Sequence, residues 1–270
     1  MGRKVFDMSK ISVSVHKFSS CDGCQLAFLN LGKDLLSLPE FIEIRHFAEA
    51  GPIDIESSVD IAFVEGSIST PDDLQRIKKI RENSNYLITI GACATSGGIQ
   101  ALRNLADTKS WIANIYAKPE YINSLDSSTA ISDHAKVDFE LWGCPINSQQ
   151  LLSAIRSLLF GVAPLKDSSK VCMECKRRNI VCLMVTKGVP CMGPVTQAGC
   201  AALCPSFGRD CYACYGPGEN ANTTALANRF AGLGLMPEEI AQRFLFINNN
   251  AGSFKQEGLR WKAQSITKSK

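Results

Sequence analysis

The stretch ISVSVHKFSSCDGC, residues 11–24, opens with eight residues that read as a β-strand. Ser19 and Ser20 then lead into a C-x-x-C pair, Cys21 and Cys24. A strand that runs straight into paired thiols is the pattern on which the whole reading turns.

The pattern recurs along the first half of the chain. FIEIRHF (41–47), VDIAFVEG (59–66), Tyr86 to Ile90 and FELWG (139–143) read as further strands. Cys93 follows the fourth strand in Gly91-Ala92-Cys93, Cys144 follows the fifth in Gly143-Cys144-Pro145, and Glu65 ends the third. Between the strands, apolar side chains at helical spacing predict helices over 25–37, from Pro71 to about Asn83, over Ile99–Leu105 and over Ser148–Phe160. Pro71, Asp72 and Asp73 suit a helix start, where a missing N–H costs nothing and negative charge meets the positive end of the dipole. The 107–135 interval carries little signal. Strands alternating with helices predict an α/β fold, a parallel sheet covered on both faces. The cysteines and Glu65 then all fall beyond the carboxyl ends of strands, the edge where open α/β sheets bind ligands. Four cysteines scattered over more than a hundred residues can therefore converge.

The chain has twelve cysteines, and the other eight lie between Cys172 and Cys214. They read Cys172-x2-Cys175-x6-Cys182-x8-Cys191, then Cys200-x3-Cys204-x6-Cys211-x2-Cys214. Twelve is three sets of four, and four thiolates hold one iron–sulfur cube or one structural zinc. A zinc ribbon shows paired C-x2-C knuckles, and only half of these spacings fit one. Cys200-x3-Cys204-Pro205 matches the C-P end of the ferredoxin run, so two cubes follow most simply, although a crossover could exchange one ligand between the sets. Residues 165–218 hold these thiols among many glycines and prolines, with too little periodicity for a large apolar core, and are expected to fold around metal. Ala221–Phe230 and Pro237–Phe246 read as closing helices, and the basic, polar tail Phe254–Lys270 as a frayed or solvated terminus.

The remaining features narrow the classes. With 270 residues and 45% hydrophobic content the chain can build one large domain or two. A net charge of +3 is too small to argue for nucleic acid. No apolar run reaches the length of a membrane span, and the start Met1-Gly2-Arg3-Lys4-Val5-Phe6 resembles neither a signal peptide nor a twin-Arg leader. The expected location is the cytoplasm, where thiols stay reduced and metal ligation is favoured over disulfides. No P-loop and no G-x-G-x-x-G after a strand occurs, so any flavin or nicotinamide belongs on another chain. The histidines are His16, His46 and His134, and His16, alternating within a strand, reads as structural. Lys176-Arg177-Arg178, beside Cys175, reads either as a solvated turn or as a docking face for an acidic redox partner.

Taken together, Cys21-Asp22-Gly23-Cys24, Val64-Glu65-Gly66-Ser67-Ile68, Gly91-Ala92-Cys93-Ala94, Trp142-Gly143-Cys144-Pro145 and Pro190-Cys191-Met192-Gly193-Pro194-Val195-Thr196 resemble the small, electron-transferring subunit of NiFe hydrogenases. Cys172-Met173-Glu174-Cys175-Lys176-Arg177-Arg178 and Gly199-Cys200-Ala201-Ala202-Leu203-Cys204-Pro205 look most like its soluble cytoplasmic branch, the NADP-linked hydrogenases or sulfhydrogenases (delta-subunit type), with small subunits that serve heterodisulfide reductase a close second. The resemblance implies a flavodoxin-like doubly wound domain over 1–163 and a C-terminal iron–sulfur cluster-binding domain over 164–270. It implies three 4Fe–4S clusters. Cys21, Cys24, Cys93 and Cys144 would hold the proximal one, Cys200, Cys204, Cys211 and Cys214 the medial, and Cys172, Cys175, Cys182 and Cys191 the distal. The nickel–iron centre would lie on a large subunit, and flavin and NAD(P) on further partners. Glu65 would lie near the proximal cluster, as a proton relay or as a carboxylate bonded to backbone amides. Periplasmic members use a histidine as distal ligand, and no histidine follows His134 here, so a cysteine must serve. The alternatives are a zinc-stabilised structural module and a complex I-like subunit, whose usual adjacent cysteines are not found at Cys21-x2-Cys24.

Overall fold

A computed structural model describes residues 10–268. Five parallel strands, β1 (Ile11–Lys17), β2 (Ile42–Phe47), β3 (Val59–Glu65), β4 (Ser84–Ile90) and β5 (Phe139–Leu141), form one sheet in the order β2-β1-β3-β4-β5. This is the doubly wound order of flavodoxin-like folds, with its switch point between β1 and β3. β3 is central and buried on both faces, as its near-continuous Ile61-Ala62-Phe63-Val64 run requires. Phe63 packs edge-on against Phe28, with ring centroids 5.0 Å apart, in a core that also takes Val13, Ile88 and Leu151. Ala62, Val64, Leu87, Ile77 and Ile131 fill the other face. Each large side chain so buried contributes about 1.5–3 kcal/mol.

The helices are α1 (Gly23–Leu29), α2 (Lys33–Ser37), α3 (Pro71–Glu82), α4 (Gly91–Ser96), α5 (Thr108–Ile115) and α6 (Ser148–Leu159), then α7 (Val171–Arg177), α8 (Leu183–Lys187), α9 (Leu203–Ser206), α10 (Thr223–Gly232), α11 (Pro237–Phe244) and α12 (Gly252–Lys268). α3 starts where its sequence says it should: Thr70 and Asp73 form a reciprocal capping box and Pro71 opens the first turn.

Several expectations need correction. The helix expected over 25–37 starts earlier, inside the C-x-x-C, and is broken in two because Gly32 takes a φ of +61°. Ile99–Leu105 is a 3-10 segment. The quiet 107–135 interval contains α5, capped by Asp107, whose carboxylate accepts the N–H groups of Lys109 and Ser110. β4 begins two residues early, at Ser84, which pairs with Val59. The tail is neither frayed nor solvated over the described residues. It forms α12, with Phe254, Glu257 and Trp261 buried on one face. Its interior carboxylate, Glu257, accepts the indole N–H of Trp261 (2.8 Å) and the hydroxyl of Thr224 (2.9 Å). The cysteine-rich segment does share an apolar core after all: Val171, Met192, Val195 and Ala213 pack with Phe230, Phe244 and Phe254 of the closing helices.

Candidate metal centres

The register aligns the strand ends. Lys17 pairs with Glu65, Glu65 with Ile90 and Ile90 with Leu141, so the last residues of β1, β3, β4 and β5 stand in one row. Cys21, Cys93 and Cys144 each follow within a few residues, and α1 carries Cys24 back over the same edge. This edge adjoins the switch point between β1 and β3.

The four thiols come together there. Burial pushes Cys24 up, and the carboxylate of Glu65 and the thiols of Cys93 and Cys144 add to it. Burial pushes Cys93 up to about 12 against a hydrogen bond from Gln100, with Cys144 and Cys21 close by. Cys144 is raised by burial, then by Cys21 and Glu65. Backbone crowds these sulfurs. Gly91 has a φ of +87°, and a Cβ there would collide with Cys24 Sγ; a Cβ on Gly98 would lie 2.7 Å from Cys93 Sγ. Glycine is required at both positions, for conformation and for space.

Glu65 is almost wholly buried. Its Oε1 accepts the N–H of Cys24 (3.1 Å) and its Oε2 that of Gln25 (3.3 Å). Burial raises its pKa while those bonds oppose the rise. It thus anchors the first turn of α1, the C-x-x-C turn itself.

The second set is carried by α7 (Cys172, Cys175), by the N-cap of α8 (Cys182) and by the segment before a 3-10 turn at Gly193–Val195 (Cys191). Cys172 is pushed up to about 11 by burial, then by Cys191, Cys175 and Cys182. A Cβ on Gly193 would sit 3.4 Å from Cys172 Sγ and 3.6 Å from Cys191 Sγ. The third set is Cys200, Cys204 on α9, Cys211 and Cys214. Burial takes Cys214 up to about 12, with Cys200, Cys144 and Cys204 adding to it. Cys211 rises well above the ordinary thiol value through burial, with Cys191 and Cys214 contributing.

These contacts reveal an order in space that differs from the order in the chain. Cys214 meets the first set beside Cys144: the hydroxyl of its neighbour Tyr215 donates to the carbonyl of Pro145 (3.4 Å), and Cys144 helps to raise the Cys214 thiol. Cys191 Sγ accepts the N–H of Cys211 (3.3 Å), and Cys200 lies close enough to Cys175 to raise it. The third set therefore stands between the first and the second.

Sequence reasoning missed three residues of this site. Glu174, inside the C-x-x-C of α7, accepts the N–H groups of Gly199 (2.9 Å), Ala201 (3.0 Å) and Ala202 (3.0 Å), which wrap Cys200. Ala201 and Ala202 both take left-handed conformations, so successive N–H groups turn toward one acceptor, a nest. Gln100 binds the carbonyl of Ser19 (3.1 Å) beside Cys93. Asn248 lies between the Cys93 helix and the Cys211–Cys214 loop. For Glu174 and Gln100 the only signal in the sequence was a polar residue inside or near a cysteine motif; Asn248 carried none, and the partners of all three lie 25 or more residues away.

The histidines stand apart from the thiols. His16 stacks on His46, ring centroids 4.7 Å apart, and contacts Ser14 Oγ (3.0 Å). Burial first, then His46 and Arg76, hold His16 down at about 3. His134 contacts Thr129 Oγ1 (2.6 Å).

Among the described residues, no three His, Cys, Asp or Glu side chains close on one point as a single ion would require. The fit of a metal group therefore rests on donor chemistry and on how backbone meets sulfur. Each set offers four thiols, glycines crowd the sulfurs of Cys24, Cys93, Cys172 and Cys191, and N–H groups reach those of Cys191 and Cys211 (3.3 and 3.4 Å). N–H groups aimed at sulfur are what tune an iron–sulfur cluster, and the residues fit one.

Fold and site together define an iron–sulfur electron-transfer subunit. The chain belongs to the family described as NADH ubiquinone oxidoreductase, 20 Kd subunit, whose model matches residues 21–158. It is 33% identical to sulfhydrogenase 2 subunit delta of Pyrococcus furiosus over 86% of this chain and 97% of that protein. It is 30% identical to a subunit of the F420-non-reducing hydrogenase (vhu) of Methanocaldococcus jannaschii, over 88% of this chain and 93% of that one. A 27% match to NAD-reducing hydrogenase HoxS subunit delta of Cupriavidus necator covers 56% of this chain and 80% of the relative. The actinobacterial-type NiFe-hydrogenase of Ralstonia eutropha H16 shares the fold, with a TM-score of 0.56 at 16% identity over 98% of this chain and 92% of that chain. The family match ends before Cys172, whereas the sulfhydrogenase and F420-non-reducing relatives span more than four fifths of the chain, the hydrogenase side of the family.

Proposed function

We propose that this chain is the electron relay of a NiFe hydrogenase, standing between the nickel–iron site of a large subunit and a flavin, NAD(P)H-linked partner in the cytoplasm. Residues 1–163 would carry the proximal cluster on Cys21, Cys24, Cys93 and Cys144. Residues 164–270 would carry the medial cluster on Cys200, Cys204, Cys211 and Cys214 and the distal one on Cys172, Cys175, Cys182 and Cys191. Each would be a 4Fe–4S cube. The observation that carries the reading is the line of thiol sets, first to third to second, with a hydrogen bond at each joint: Tyr215 to Pro145 at the first and Cys211 to Cys191 at the second.

Bound iron–sulfur clusters supply one-electron chemistry, and the protein's part is to hold, tune and shield them. The raised thiols must lose their protons on binding metal, so assembly releases protons. Glu65 and Glu174 accept backbone N–H groups and fix the cysteine turns. A proton-relay role for Glu65 is part of the proposal, supported by its burial and raised pKa.

At the far end, Cys182 is exposed, with Val181 and Val185 exposed around it and Lys176, Arg177 and Lys187 beside them. Exposed basic and apolar residues on the segment that carries this set suit a redox partner with an acidic face. The relatives among F420-non-reducing hydrogenases favour a second reading of the acceptor, a partner that serves heterodisulfide reductase.

The deciding experiment is iron, sulfide and zinc per chain in the anaerobically purified complex. Once the metals of the other subunits are subtracted, roughly twelve irons, four per cube, are expected. One to about three zincs with little sulfide would establish a structural metal protein instead.

A further inference from the structure

The joint between the first and third thiol sets is bridged by a residue that belongs to neither. Asn248 lies in the turn between α11 and α12 and is 2% exposed. Its Nδ2 donates to the carbonyl of Ala213 (2.7 Å), between Cys211 and Cys214. Its Oδ1 accepts the hydroxyl of Ser96 (2.8 Å), three residues beyond Cys93 in α4. The amide can face only one way, because the Ala213 carbonyl cannot donate. Asn249, equally buried, donates to the carbonyl of Gly98 (3.0 Å), the glycine packed on Cys93 Sγ. The backbone N–H of Ala213 in turn reaches Cys211 Sγ (3.4 Å). One side chain thus has a hydrogen bond to each of two sulfur-bearing loops.

Such an arrangement does more than fill space. The Ala213 carbonyl also accepts the N–H of Gly216 (3.0 Å) and the Ser96 hydroxyl also reaches the carbonyl of Ala92 (3.0 Å), so an apolar filler would leave each element its own partner and remove only the link between them. An amide serves both loops at once and fixes their separation. Electron transfer between two centres depends steeply on the distance and path between them, so a clasp at this joint acts on rate as well as on stability.

We propose that Asn248 is a positioning residue that sets the coupling between the proximal and medial centres by clasping Ser96 to Ala213. The proposal rests on the cluster assignment above. Its test is low-temperature EPR of the whole complex reduced with H2, together with rapid-freeze kinetics of medial-cluster reduction. The variants are Asn248→Ala, Ser96→Ala and the pair. Thr224→Val, which removes a hydrogen bond between α10 and α12, neither of which carries Ser96, Ala213 or Asn248, is the control.

With iron and sulfide retained, Asn248→Ala and Ser96→Ala should each weaken the spin–spin interaction between the two centres and slow medial reduction severalfold. The double variant should be little worse than Asn248→Ala, since both break one clasp. Thr224→Val should leave both readouts unchanged. Unchanged spectra and rates in both single variants would overturn the proposal, as would an equal effect of Thr224→Val. If Asn248→Ala loses iron, Ser96→Ala decides, because it removes a single hydroxyl. A wild-type complex without iron–sulfur signals would sink the cluster reading and this inference with it; normal wild-type signals with silent variants would sink this inference alone.

Discussion

Two carboxylates perform one task in two settings. Glu65, at the end of the central strand, is buried and holds the N–H groups of Cys24 and Gln25. Glu174, on a seven-residue helix with intermediate exposure, gathers three N–H groups around Cys200. The first is placed by a sheet with an apolar core on each face. The second is placed by a segment of short helices and left-handed turns, whose apolar residues find a core only with α10, α11 and α12. The contrast shows two ways to build a thiol cradle: attach it to an existing scaffold, or fold the scaffold around it.

Metal removal should break the comparison most visibly. Anaerobic chelation of the isolated chain is expected to abolish amide-exchange protection over 165–218 while β1, β3 and β4 stay protected. Uniform loss across both regions would mean that the sheet domain too depends on metal. Next in size is a pair of substitutions. Cys93→Ser should depress dye-linked H2 oxidation more than Cys191→Ser, because on the proposed assignment the first set serves every electron that leaves the partner's nickel–iron site. An unchanged rate in Cys93→Ser would refute the assignment of the first set.

Glu174→Ala should cost about 1–3 kcal/mol by leaving the Gly199, Ala201 and Ala202 donors without their acceptor. The loss should appear in the denaturant midpoint of the 165–218 transition and leave the sheet transition where it was. The last effect concerns His16, in the sheet and clear of the thiols, and is absent at neutral pH. Its folded pKa lies near 3, below the ordinary value of 6.5. A depressed pKa means that the unfolded chain binds the proton first, so stability is full above 6.5 and falls as pH drops toward 3. His16→Gln should flatten that part of the stability–pH curve, and an unaltered slope would place the acid sensitivity elsewhere.

The strands were legible because β-branched runs bounded by glycine and polar turns leave little choice, and the thiols marked which edge mattered. α3 and α6 were legible from their apolar spacing, and α3 also from its start signals. What stayed hidden was set by partners far along the chain. Gly32 breaks a helix that its neighbours favour, through a backbone conformation no composition reveals. α12 looked solvated because Lys, Arg and Gln dominate it, yet Phe254 and Trp261 on one face suffice once α11 is there to receive them; Phe244 and Phe254 meet edge-on at 5.9 Å. Glu174 and Asn248 could not be read as site residues, since nothing in the sequence says that residue 174 faces 201 or that 248 faces both 96 and 213.

The three thiol sets follow one order along the polypeptide and another through space, with the last one synthesised standing in the middle. On the proposed reading, a ribosome finishes both ends of the circuit before it makes the link between them. A chain that stops short of Cys214 lacks the middle link and also the closing helices on which the second set packs. On that reading only a chain that runs past its final loop into α10, α11 and α12 joins the two ends of the circuit.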